Sequence, residues 1–361
     1  MTRRTLFDAL SNAVLGRAPR HPLPPANAPR FRAEAGLPHV ESWFVRANAP
    51  DAPRALWLKA TILAPRGGGA SADAWAIAFD GEAGRTYATR LMIPLSEADF
   101  RSSDGAASAV VGPCRFTFGD EGAASGALVD PRDGAATWDL AWRPLAGPLG
   151  APLVLFPHAG MLTRSFPRSK LLTPVAAASF SGALEVFGER WDLTGWRGMQ
   201  GHNWGREHAP EYAWGHVLFA DAGGEAECVA EGFSARIRLA RRLSPRLSAL
   251  VVRRGDEVYR FDRTLDFWRQ RASIDDLAWT LRLASPDGVA ELAMAATPEA
   301  MVCLGYRNPD GTLAYCYNSK LAGAALTVTP RAGAPFRCES AHGGAFELLT
   351  RTPDPRFPRV V

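Results

Sequence analysis

Past residue 20 the chain carries almost no helical period, and its apolar residues instead fall in short runs separated by Gly, Pro, Asp and Ala. The runs occupy residues 40–45, 56–63, 74–79, 86–93, 114–118, 126–129, 137–142 and 153–156. A second series of similar spacing runs from 179 to 350 and includes 313–318 and 325–330 as separate members. Between its members lie FADAGGEA, RRGDE, SPDG and NPDG, which supply the positive-φ and Asx chemistry of tight reversals. Strands this short and close leave no room for crossover helices, so the expected fold is all-β and antiparallel, as barrels or sandwiches. Two consecutive meanders predict two β domains, over 30–205 and 206–361. They follow an N-terminal segment, 1–29, made of a short helix and a proline-rich connector.

With 361 residues and 47% hydrophobic content, the chain can bury a large interior. Its formal charge is +4, yet only Lys59, Lys170 and Lys320 are lysines, and the arginines form no basic run. Nucleic acid is therefore excluded as a partner. Five scattered cysteines with no CxxC fit reduced thiols in a cytoplasmic protein and argue against zinc. Asp8, Ser11 and Asn12 interrupt the first apolar run, which reads as an amphipathic helix and not a signal peptide. Its face of Leu6, Phe7, Leu10, Val14 and Leu15 would dock on the protein's own body, with peripheral membrane contact as the alternative. No apolar stretch is long enough to span a bilayer as a helix. Oligomeric state is not encoded in any pattern here.

Chemistry concentrates in residues 191–219, which hold Trp191, Trp196, Trp204 and Trp214, with His202, His208 and His216, among five glycines. In the hairpin that follows, alternation places Val229, Glu231, Phe233, Ala235 and Ile237 on one face, so Glu231 is a lone carboxyl on an apolar stripe. A turn symmetric about Ala222 and Gly223 sets Glu231 opposite Trp214 and Val229 opposite His216, and gives Trp214, His216 and Glu231 a common face. Desolvation there raises the pKa of a carboxyl toward neutrality, as a general acid requires, and indole faces can stabilise a developing cation. The competing expectation is a structural ion pair from Glu231 to Arg197 or Arg206. In GMQGHNWG the glycines at 198, 201 and 205 predict a tight, non-extended turn, from which His202 either positions the acid or water, or simply packs. Asn203 ties backbone or touches a ligand, and Trp204 and Tyr212 form pocket wall or core. Asp221, on the turn, is a weaker candidate acid. The histidine spacing predicts no metal site, and no cofactor is expected. Cys316-Tyr317-Asn318-Ser319 reads as a strand end, since no G-x-S-x-G elbow accompanies it.

The glycine-bounded His202-Asn203-Trp204, the following Trp214-Gly215, the preceding Trp191 and Trp196, and Glu41-Ser42-Trp43 near the start resemble the carotenoid 1,2-hydratase (hydroxyneurosporene synthase) and AttH-like family. The resemblance covers most of the chain in layout and is specific around 191–231. It implies two lipocalin-like β domains, a distant likeness to tocopherol cyclases, and an apolar ligand within or between the domains. In that family an aspartate on a strand after the motif is the proposed proton donor to an isoprenoid double bond, with the motif histidine and tryptophan and a nearby tyrosine lining the site. His202 and Trp204 match the motif, while by spacing the tyrosine and aspartate fall near Val229 and Glu231. The residue before the motif histidine, often acidic in relatives, is Gly201.

Two functions follow as expectations. One is cofactor-independent, acid-catalysed hydration or cyclisation of an apolar isoprenoid or lipid-like substrate, with Glu231 as acid, His202 and Asp221 as further catalytic candidates, and Asn203, Trp204, Tyr212, Trp214 and His216 around the substrate. The other is a lipocalin-like carrier that does no chemistry.

Overall fold

A computed structural model of the chain describes residues 23–103, 106–221, 223–239, 242–263, 266 and 269–361; the expected N-terminal helix lies outside these residues. Two large antiparallel sheets account for nearly all of it, in an all-β, lipocalin-like fold of curled sheets. The first has twelve strands drawn from residues 39–205, and the second ten from residues 211–350. Each is wound the same way. Four strands run outward from the middle in sequence order, and the last strand of the sheet returns to pair with the first. In the first sheet that closure sets Arg197–Gly205 against His39–Asn48, and in the second Phe336–Thr350 against Glu211–Ala220.

Most apolar runs became strands because one face of each meets a core. Trp43, Val45, Leu58, Trp138 and Trp142 fill the first sheet's interior, and Phe219, Leu250, Trp279 and Phe346 the second's. A third cluster joins the sheets, with Phe44, Trp57, Trp75 and Phe79 on one side and Trp214, Val251, Leu304 and Leu349 on the other. Polar bonds cross the same seam. Arg46 Nη2 donates to His216 Nδ1 at 2.6 Å, Arg46 Nη1 to Gly343 O at 2.9 Å, and Asn48 Nδ2 to Lys320 O at 2.6 Å.

Three expectations are corrected. Residues 153–156 form no strand; Leu153 makes an isolated bridge to Thr173. The runs at 313–318 and 325–330 are one long strand, Leu313–Pro330, whose register shifts between Ser319 and Ala324, so Cys316 to Ser319 lie within a strand and not at its end. The glycine-rich GMQGHNWG is also no turn but the extended strand Arg197–Gly205. Its glycines serve close approach: a Cβ on Gly198 would fall 1.8 Å from Arg46 O, one on Gly201 2.2 Å from the Phe44 ring, and one on Gly205 2.0 Å from Arg168 O.

Candidate active site between the sheets

Where the two sheets meet, a cavity of about 140 Å³ opens. Alternation explains its walls, because every second residue of a strand faces the seam. His39–Asn48 contributes Val40 and Phe44, Arg54–Ala64 contributes Trp57 and Lys59, Glu211–Ala220 contributes Tyr212 and Trp214, and Ala226–Arg236 contributes Phe233 and Ala235. Asn203, Trp204, Tyr306 and Glu347 complete the part used below. The rings pack edge to face: Phe44 meets Trp214 at 90° with centroids 6.1 Å apart, and Trp75 meets Tyr306 at 84° and 6.0 Å. These rings offer an apolar group a surface to pack on.

Two carboxyls lie on this wall: Glu207, which pairs with Arg168 and Arg238, and Glu347. Glu347 Oε1 accepts from Lys320 Nζ at 2.9 Å and Asn318 Nδ2 at 2.8 Å, and its Oε2 from the Tyr212 hydroxyl at 3.3 Å. Burial would raise its pKa, but the Lys320 ammonium, with Lys59 and Asn318, overrides that and holds Glu347 below the ordinary carboxylate range. Burial, reinforced by Cys316 and Glu347, pushes the Tyr212 phenol well above its ordinary value, so it remains an O–H donor. Desolvation brings Lys59 down to about 8 against the pull of Glu347. Burial likewise depresses His208, to about 3, with help from Lys59 and Arg351. The chain's three lysines thus gather here: Lys59 and Lys170 line the cavity and Lys320 stands behind Glu347.

Glu231 is fully buried at 0% exposure, with its pKa raised to about 7 by desolvation against the opposing pull of Thr173, Trp214, Arg253 and Arg46. It makes no ion pair with Arg197 or Arg206. Its oxygens each accept from Thr173 Oγ1 at 2.8 Å, and Oε1 also from Trp214 Nε1 at 3.0 Å. The hairpin register differs by two residues from the symmetric expectation: Glu231 pairs with His216, and Trp214 with Phe233. One residue of the offset comes from a turn centred on Gly223 and the other from an irregularity between Phe219 and Ala220. A two-residue offset preserves the face, so Trp214, His216 and Glu231 still lie together. Glu231 is not part of the cavity wall, however; the Trp214 indole to which it is bonded stands there in its place.

The other candidates separate cleanly. Asn203, Trp204, Tyr212 and Trp214 line the cavity. His216 does not. Its Nδ1 accepts from Arg46, its Nε2 donates to Ala176 O at 2.8 Å, and burial beside Arg46 holds its pKa well below the ordinary value. His202 turns to the other face of its strand, where Nε2 lies 2.8 Å from Glu41 Oε1 and Nδ1 2.7 Å from Ala26 O, with the ring stacked 4.7 Å from Trp43. Both nitrogens are thereby committed, so it does not bond the buried acid. Glu41 also accepts from the Arg30 and Phe31 backbone N–H groups and from His39; against burial, its bonds to His202 and His39 bring its carboxyl down to about 2. Asp221 is exposed and spends its side chain on the Gly223 and Glu225 backbone N–H groups, away from the cavity.

Sequence reasoning missed Glu347, Lys59, Lys320 and Tyr306. The signal available was the rarity of lysine: in RALWLKATILA and YNSKLAGA the lysine sits inside an apolar strand, where a charge needs a reason.

No family model matches the sequence. Over 297 residues, 82% of this chain and 83% of the relative, it is 28% identical to an uncharacterized protein of Mycobacterium tuberculosis, found in strains CDC 1551 / Oshkosh and ATCC 25618 / H37Rv. Among solved structures, CghA with Sch210972 superposes with a TM-score of 0.57 at 13% identity, covering 92% of this chain and 96% of that one. An AttH-like protein from Nitrosomonas europaea gives 0.51 at 14% identity, covering 92% and 99%. Kievitone hydratase from Nectria haematococca gives 0.51 at 12% identity, covering 86% and 88%. At these identities the likeness shows a shared fold across nearly the whole chain.

Proposed function

We propose that the protein is an enzyme that hydrates or cyclises an apolar, isoprenoid- or lipid-like substrate by general acid–base catalysis in the cavity between the sheets, without a cofactor. The observation that carries this reading is the chain Lys320–Glu347–Tyr212, hydrogen-bonded throughout and reaching a cavity wall that also carries the rings of Phe44, Trp57, Trp214 and Phe233. Glu347, ionised beside an ammonium, is a base; Tyr212, kept neutral, is a donor; and Lys320 can restore a proton to the pair. The role expected of Glu231 passes to this network. Glu231 acts from behind, its bond to Nε1 fixing the plane of the Trp214 indole. Support also comes from the names of the structural neighbours, one of which is a hydratase.

The test is incubation with geraniol, farnesol, citral and isophorone, followed by mass spectrometry and chromatography. Gain of one water, or a changed retention at unchanged mass, is expected with the parent protein and not with Tyr212→Phe. Binding of these compounds with neither change would instead mark a carrier and contradict the proposal.

A further inference from the structure

Lys59 is 3% exposed, and among the described residues its ammonium makes no hydrogen bond and no ion pair. Ring faces lie nearest, with Nζ 4.0 Å from the Tyr306 centroid, 5.3 Å from Trp75 and 5.5 Å from Trp57, while the carboxylates of Glu347 and Asp73 act on its charge from beyond hydrogen-bond distance. A buried ammonium has three donors to satisfy, and aromatic quadrupoles answer its charge without accepting its hydrogens in line. Since Lys59 lines the cavity, the missing acceptor belongs to whatever enters it. From the proposed reading of the site, on which this step rests, we infer that the substrate carries a carbonyl oxygen that docks on Lys59 Nζ, conjugated to the double bond that reacts.

Two features of the site agree with that. A cation in the wall repels a carbocation formed on an isolated alkene, whereas it stabilises the oxyanion of an enolate. A phenol held well above its ordinary pKa is too weak to protonate an isolated alkene, but it can protonate the α-carbon of an enolate. The reaction then balances without an external reagent. Water, or a hydroxyl of the substrate itself, forms a C–O bond at the β-carbon and gives its proton to Glu347. The π electrons move to the carbonyl oxygen held by Lys59, and the enolate re-forms the carbonyl as its α-carbon takes the Tyr212 proton. Glu347 returns its proton to Tyr212. The external nucleophile gives hydration and the internal one cyclisation, so one site accounts for both.

The experiment compares binding of isophorone, a cyclic enone, with that of its hydrocarbon counterpart 1,5,5-trimethylcyclohexene, read by quenching of tryptophan fluorescence, in the parent protein and in Lys59→Met. The parent should prefer the enone by about ten-fold, corresponding to one charge-assisted hydrogen bond. Lys59→Met should bind both compounds equally while keeping the parent's affinity for the hydrocarbon. A preference that persists in Lys59→Met overturns the inference. A second readout needs no variant: the enone absorption band should shift to longer wavelength on binding to the parent protein, as it does when a carbonyl accepts from a cation, and an unshifted band overturns the inference equally. Both measure binding, so they stand apart from turnover. Hydration of geraniol, which has no carbonyl, by the parent protein would leave the enzymatic reading intact and overturn the carbonyl requirement.

Discussion

Glu231 shows how a side chain can have every property of an acid and lack the access. It is buried, shifted to about 7 and free of any arginine fork, yet Trp214 stands between it and the cavity. Its ionisation should therefore appear in stability. A carboxyl whose pKa is higher folded than unfolded favours the folded state fully below the unfolded value, near 4.5, and loses that contribution as pH rises through about 7. The gap corresponds to roughly 3 kcal/mol for a group this buried. Glu231→Gln, which cannot ionise, should gain about that much relative to the parent between pH 5 and pH 8 in denaturant titrations; parallel pH curves would contradict the burial argument. Glu347→Gln and Tyr212→Phe should instead lower turnover by about 10²- to 10⁴-fold; Tyr212→Phe should leave the melting profile near that of the parent, whereas Glu347→Gln removes the counter-charge of the buried Lys320 ammonium and should lower the midpoint as well. The apolar stripe holding Glu231 could be read from alternation alone. Glu347 could not, because its partners come from strands up to 135 residues away in sequence, and only the winding of the sheet brings Tyr212 to it.

Among the elements, Arg197–Gly205 is the one whose sequence misled. Glycines at three close positions signal a turn when read locally, but here each faces a neighbouring strand or ring that leaves no room for a Cβ. What requires glycine at these positions is close approach to strands not adjacent in sequence. Gly198→Ala would set its Cβ against Arg46 O, in the central pairing of the first sheet, and should destabilise the protein by at least about 3 kcal/mol, measured by thermal or urea unfolding. The same substitution at Gly223, on the exposed turn where the nearest atom to a new Cβ is 3.3 Å away, should be felt far less. The turn chemistry read from FADAGGEA and NPDG held because it depends only on neighbours in sequence: Asp221 and Asp310 each accept from backbone N–H groups two residues on. The hairpin register is offset by two because the turn centres on Gly223 and an irregularity follows beside it, and neither is marked by a residue type.

For the molecule as a whole, the alternating runs made an all-β fold of two meanders readable, since period-two burial is a property of each strand by itself. What no local pattern contains is the seam, where Arg46, Asn48, Phe44 and Trp57 of the first sheet meet His216, Lys320 and Trp214 of the second. With a shared apolar cluster and buried polar bonds across it, the two sheets should unfold in a single calorimetric transition, and Arg46→Met should lower its midpoint; two resolved transitions would contradict that coupling. The seam is also where function is proposed, so the most direct measurement is deuterium uptake in D₂O. Isophorone, citral and geraniol are incubated with the parent protein, Tyr212→Phe and Glu347→Gln, and label at carbon is followed by mass spectrometry. Reversible addition of water through the Tyr212–Glu347 pair predicts uptake at the α-carbon of a conjugated carbonyl compound with the parent, falling by about 100-fold or more in both variants. Uptake unchanged in the variants, or none with the parent, would contradict the account.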